Sequence, residues 1–188
     1  MYTLIRSVML AQIIGLLVVP VALANGLRDF VMGNTLFILY HEMGHGLISL
    51  YDLPVLGKEE DAADRFAAVW LADMIDDAGR DNIILQDLLQ AAEGWSLMAK
   101  QQQKNLVPED LYAEHGLDAQ RYYSLMCLLY GAHADRLSYL PQQVGLDQER
   151  AERCIGEFNL LATDWYRVLD PYNSGWVSGQ CTLWYCAQ

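Results

Sequence analysis

Two helix-patterned segments, joined by a connection too short to let them part, constrain this chain more than any other feature. The first is an apolar run, Leu36–Tyr40 and Leu47–Leu50, bracketing His41-Glu42-Met43-Gly44-His45 and able to extend to about Tyr51. Pro54 and Gly57 punctuate the connection Asp52–Gly57. From Lys58 to Leu71 the chain is Ala-rich, acidic in its first turn and apolar at helical spacing, which is the pattern of a helix start. A short loop between two helices makes them antiparallel neighbours.

That pairing has a chemical reading. On a helix, residues four apart share a face, so His41 and His45 could chelate one zinc ion. Glu42 would lie beside the metal without ligating it, placed to take a proton from water as general base. With the second helix returning antiparallel, Glu60 falls roughly level with His45 and Asp64 roughly level with His41. Glu60 is then the expected third ligand. Asp64 is the expected acceptor for the free N–H of a ligand histidine, fixing its tautomer. Glu59 is the rival ligand, but its i+4 residue is Ala63, which offers no supporting carboxylate. An acidic first turn also complements the helix dipole, and that suffices for Glu59 and Asp61. Asp76 and Asp77 read as solvated. Helical histidine pairs also occur as solvated or core residues. What favours a site is that Glu60 and Asp64 follow the motif directly.

HExxH followed by Glu-x-x-Ala-Asp resembles the gluzincin branch of the zinc metallopeptidases. More narrowly, His-Glu-Met-Gly-His, Leu-Pro-Val-Leu-Gly and Glu-Glu-Asp-Ala-Ala-Asp, in this order, resemble a bacterial family assigned as metallopeptidases of unknown function. Arg121-Tyr122-Tyr123, Cys127-Leu128-Leu129-Tyr130-Gly131 and Cys154 fit the same likeness, which covers roughly Asn34 to Pro171. The resemblance implies one zinc ion, peptide hydrolysis and a peptide or protein substrate. It also implies a His or Tyr that steadies the oxyanion. His115, Tyr130 and His133 are the candidates, with Arg121 and Tyr123 beside them. One departure stands out. Gluzincins place a β-sheet ahead of the motif helix to hold substrate, and about ten residues would precede that helix here once a leader is removed.

The leader is expected at residues 1–24. Arg6 supplies a positive start, Val8–Val21 is mostly apolar, and Ala22-Leu23-Ala24 is a small-residue cleavage site. Cleavage would give an exported protein; an uncleaved segment would anchor it instead. The net charge of −12 argues against nucleic acid and against an anionic membrane surface beyond that segment. Four cysteines in an exported chain suggest disulfides, and the expected pairs are Cys127–Cys154 and Cys181–Cys186.

The remaining pattern is helical, so the expected fold is mainly α. It is a compact single-domain bundle over residues 25–170, built around the HExxH helix and the antiparallel ExxAD helix. Asn34 is the expected N-cap of the motif helix. Further helices are expected over Ile83–Gln103, Ala119–Gly131 and from an Asp147 cap to Leu169, with Asn105–Glu114 and Pro141–Gly145 as connections. Tyr122, Tyr123, Leu125, Met126 and Leu129 are the expected core residues of the second of these. Ile155, Phe158, Leu160, Leu161 and Trp165 are those of the last. The tail, residues 171–188, is compatible with a small disulfide-closed hairpin. The alternative to a peptidase is an exported, non-enzymatic helical module that uses the metal for stability or partner binding.

Overall fold

The HExxH motif lies near the end of the longest helix among the described residues. A computed structural model describes the backbone at residues 2–75 and 83–175, and the side chains at 26–75 and 83–172. The helices in order are α1 (Tyr2–Tyr51), α2 (Glu59–Asp73), α3 (Ile83–Lys104), α4 (Pro108–Leu111), α5 (Asp118–Ala132), α6 (Leu140–Val144) and α7 (Gln148–Leu169). A 3₁₀ segment, Asp170–Gly175, follows, and no strand occurs among the described residues. The fold is mainly α. No helix is long and apolar enough to cross a membrane among the described residues.

The centre of the bundle is α2. After its first turn it buries Ala63, Phe66, Ala67, Ala68, Val69, Leu71 and Ala72, apolar on nearly every side. Such a helix belongs inside, and α2 accordingly packs against α1, α3, α5 and α7. Its alanines let the neighbours come close, while Phe66 fills the space between Trp70 and Trp165, each ring centroid 4.9 Å away. Burying a side chain of that size contributes about 1.5–3 kcal/mol. Phe37, Leu88, Leu125, Leu129 and Leu137 extend the main core beneath α1, α3 and α5.

Helix α5 and helix α7 are stapled by the disulfide Cys127–Cys154, with Cα atoms 5.2 Å apart. At Gly131 the two backbones meet so closely that an added Cβ would collide with the Cys154 carbonyl. The expected pair Cys181–Cys186 and the expected tail hairpin beyond Gly175 lie outside the described residues. So do the side chains of the expected leader.

Several local expectations are corrected. Asn34 does not cap α1, because the helix runs through it from Tyr2. Its Nδ2 donates instead to the carbonyls of Phe30 (2.8 Å) and Gln90 (3.1 Å), tying α1 to α3. The two expected connections each contain a short helix, α4 and α6, whose prolines sit in the first turn, where a missing N–H costs nothing. Gly145, left-handed at φ 77°, ends α6. On α7, Leu160 and Ile155 are exposed. The buried stripe runs instead through Ala151, Cys154, Phe158, Ala162 and Trp165. Tyr123 is also exposed. Asp147 caps α7 as expected, accepting from the Arg150 N–H at 2.8 Å.

Candidate metal centre

His41 and His45 come from one face of α1, and their ring centroids are 4.8 Å apart. Gly44, in the motif's second variable position, brings α2 against this face. An added Cβ there would stand 3.1 Å from Ala63 Cα and 3.3 Å from the Phe66 ring. The close approach carries Glu60 to the histidines. His41 Nε2 lies 3.1 Å from His45 Nε2 and 3.2 Å from Glu60 Oε2, and His45 Nε2 lies 3.3 Å from the same oxygen. We expect Gly44→Val to push α2 away, costing about 1–3 kcal/mol of stability and weakening metal binding. Thermal unfolding with and without zinc, together with metal titration, checks this.

The three atoms fit a metal on two counts. Donors about 2.0–2.1 Å from a tetrahedral zinc stand about 3.3 Å apart, close to all three observed separations. The second count is chemical. Both histidines present Nδ1 to a carboxylate, His41 to Asp64 Oδ1 and His45 to Glu59 Oε1, each at 2.8 Å. Carboxylates accept, so the ring protons belong at Nδ1. With the ring protons at Nδ1, the two Nε2 lone pairs and the Glu60 oxygen face one another, an arrangement a cation would stabilise. Two imidazoles and one carboxylate suit zinc or a similar transition metal better than calcium or magnesium. Among the described residues, His41, His45 and Glu60 form the candidate metal site.

The support behind the two histidines differs. His41 is 6% exposed. Its partner Asp64, with 17% of its side chain exposed, also accepts from Arg121 Nε and Nη2, both at 2.7 Å. The Arg121 guanidinium in turn lies 3.6 Å from the Trp95 ring centroid. Burial alone would push the Asp64 carboxyl up. The hydrogen bonds from His41 and Arg121, and the guanidinium charge, outweigh it and hold Asp64 below its ordinary range. His45 is held by an exposed acid instead. The Glu59 hydrogen bond, opposed by partial burial and aided by the charges of Glu60 and Glu59, raises its pKa.

Glu59 in this role was missed by the sequence reading, which set it aside as a rival ligand and accounted for it by the helix dipole. The signal was available: each motif histidine needs an acceptor at Nδ1, and the residue before Glu60 is the one turned towards the far side of His45. We expect Glu59→Ala to weaken zinc binding about tenfold, the low end for such partners because Glu59 is exposed. Competition with a fluorescent chelator measures this, and unchanged affinity would refute the role.

The other candidates separate cleanly. His115, on the loop before α5, brings Nδ1 to 3.1 Å from Glu60 Oε2 and its ring centroid to 6.0 Å from that of His41. Its side chain is 48% exposed. Lys58 Nζ donates to the Ala113 carbonyl at 2.8 Å, tethering this loop to the start of α2. Glu42 is exposed on α1. His133 is not at the site: its Nε2 pairs with the Ala72 carbonyl at 2.8 Å, about 18 Å along α2 from Glu60 at 1.5 Å per residue. Tyr130 packs on the main core, and Arg121 spends two of its donors on Asp64.

No curated protein and no solved structure matches this chain. Residues 23–169 match a family described as "putative metallopeptidase", which spans every residue of the centre, and the chain belongs to that family.

Proposed function

We propose that this protein is a zinc-dependent peptidase, exported after cleavage of its first 24 residues. The observation that carries the reading is the convergence of His41 Nε2, His45 Nε2 and Glu60 Oε2, all within 3.3 Å of one another, beside the exposed carboxylate of Glu42. Bound zinc would supply Lewis acidity, polarising the scissile carbonyl and easing deprotonation of water. Glu42 takes the proton from the attacking water as the new C–O bond forms, and delivers it to the leaving amine as the C–N bond breaks. His115, whose ring stands beside that of His41, would donate to the carbonyl oxygen as negative charge develops. Asp64 with Arg121, and Glu59, hold the two ligand rings in the tautomer that presents Nε2. Export is supported by the leader-like pattern and by the Cys127–Cys154 disulfide, which suits an oxidising compartment.

One observation favours the second reading, a metal-stabilised module without activity. No strand among the described residues offers an edge to an extended substrate. Against it, a structural zinc site uses four protein ligands and needs no base. Zinc content measured together with cleavage of a diverse peptide library separates the two. One ion per chain with cleavage supports the peptidase; one ion with no cleavage of any peptide leaves the module.

A further inference from the structure

The three metal donors do not stand on equally firm ground. His41 and His45 lie inside α1, with helix on both sides of them. Glu60 is the second residue of α2. The N–H groups of a helix's first turn have no partner within the helix, so that turn relies on groups outside it. The usual support is missing, because the Lys58 side chain, at the cap position, makes no capping bond. The third ligand therefore sits on the turn of α2 that the helix itself secures least.

The segment Ala113–Gly116 runs along this turn. Lys58 Nζ donates to the Ala113 carbonyl at 2.8 Å. His115 Nδ1 stands 3.1 Å from Glu60 Oε2. At Gly116 an added Cβ would come to 3.6 Å from Asp61 Oδ1, so the backbone passes close to the next residue of the turn. The two stretches keep in step, Lys58 with Ala113, Glu60 with His115 and Asp61 with Gly116. The far end of the segment is fixed as well. The Leu117 N–H donates to Gln120 Oε1 of α5 at 3.0 Å, and the Asp118 N–H to Gln102 Oε1 of α3 at 3.1 Å.

The chemistry of the central contact has one direction. An ionised carboxylate only accepts, so His115 carries its hydrogen at Nδ1 and donates it to Glu60. A carboxylate oxygen has one lone pair for that N–H and another for a metal. Asp64 stands behind His41 and Glu59 behind His45. His115 does for the carboxylate ligand what those acids do for the imidazoles.

We propose that His115 is the positioning residue of the third ligand: carried on a segment fastened to the first turn of α2, it holds Glu60 Oε2 turned towards His41 and His45. This inference rests on the metal-centre reading and concerns retention of the metal. The N–H serves one oxygen at a time, so donation to a carbonyl oxygen is a separate and later task, read in kcat rather than in metal affinity.

The test is zinc affinity of the full chain, measured by competition with a fluorescent chelator, with the visible spectrum of the cobalt-loaded protein beside it. His115→Ala should weaken zinc about tenfold, the low end for groups that orient a ligand, because the ring is half-exposed. Its cobalt bands should shift. His115→Asn, whose amide nitrogen can stand where Nδ1 stands, should recover most of the affinity and the wild-type spectrum. His115→Gln, whose amide nitrogen reaches the place of Nε2, should recover neither. Lys58→Met, which releases Ala113, should weaken zinc in the same direction by less. Tyr112→Ser, exposed just before the segment, should change nothing. Unchanged affinity in His115→Ala overturns the inference, even if kcat at saturating zinc falls, since His115 then serves the carbonyl oxygen alone. Equal behaviour of Asn and Gln also overturns it, because a packing role does not distinguish two nitrogens. If wild type binds zinc and cleaves nothing, the affinity series still decides the inference while the peptidase reading falls. If wild type binds no zinc, the metal-centre reading falls and the inference falls with it.

Discussion

Replacing Glu42 with Gln should leave one zinc ion bound per chain and lower kcat by about 10²–10⁴-fold, the usual contribution of a positioned proton-transfer group. The substitution is nearly isosteric and falls at an exposed position of α1, so the fold has little reason to respond. His41, His45 and Glu60 keep their geometry because none of them leans on Glu42: their supports are Asp64 and Glu59. What the amide cannot do is accept a proton from water and return it to the amine. Glu42→Asp should recover only part of the loss, because the shorter side chain draws the carboxylate back from the reacting water. Full activity in Glu42→Gln would sink the assignment of the base. Loss of zinc would show that Glu42 supports the metal rather than the reaction.

Arg121→Met should act in the opposite way, damaging the metal site and the fold together. The substitution leaves Asp64 largely buried with one fewer charged partner. Removing one member of a buried ion pair costs about 3–5 kcal/mol, and we place this case near the lower end because Asp64 keeps the His41 N–H. Zinc affinity should fall about 10–100-fold, as it does when the groups that orient ligand histidines are disturbed. Arg121→Lys keeps the charge but loses both the two-pronged grip and the stacking on Trp95. It should fall between wild type and methionine on both measurements. Chemical unfolding of the metal-free protein and zinc competition give the two numbers. If Arg121→Met lowered stability but left zinc affinity unchanged, the clamp would be a packing feature alone.

The helix pair was legible because periodicity and a short connection are local signals. His41, His45, Glu60 and Asp64 all lie within that pair, so their meeting needed no knowledge of the rest of the fold. Arg121 was visible as a conspicuous residue, but its partner was not. Only the approach of α5 to α2, a tertiary event, shows that it serves Asp64 rather than an oxyanion. Glu59 was missed for a different reason: the helix dipole already accounted for an acid in that turn, while its position serves the back of the His45 ring. Asn34 looked like a cap because capping is a property of local sequence, yet its hydrogen bond to Gln90 depends on α3. On α7 Phe158 and Leu160 were both core candidates, and only packing against the rest of the bundle selects Phe158 over Leu160.

The spacing of the ligands along the chain also ranks the closures that build the centre. His45 and Glu60 are 15 residues apart, whereas Arg121 and Asp64 are 57 apart. Closing a short loop costs less conformational entropy and happens sooner than closing a long one. On loop length alone, the α1–α2 pair, which carries His41, His45 and Glu60, is the cheaper closure, and the Arg121–Asp64 pair is the costlier one.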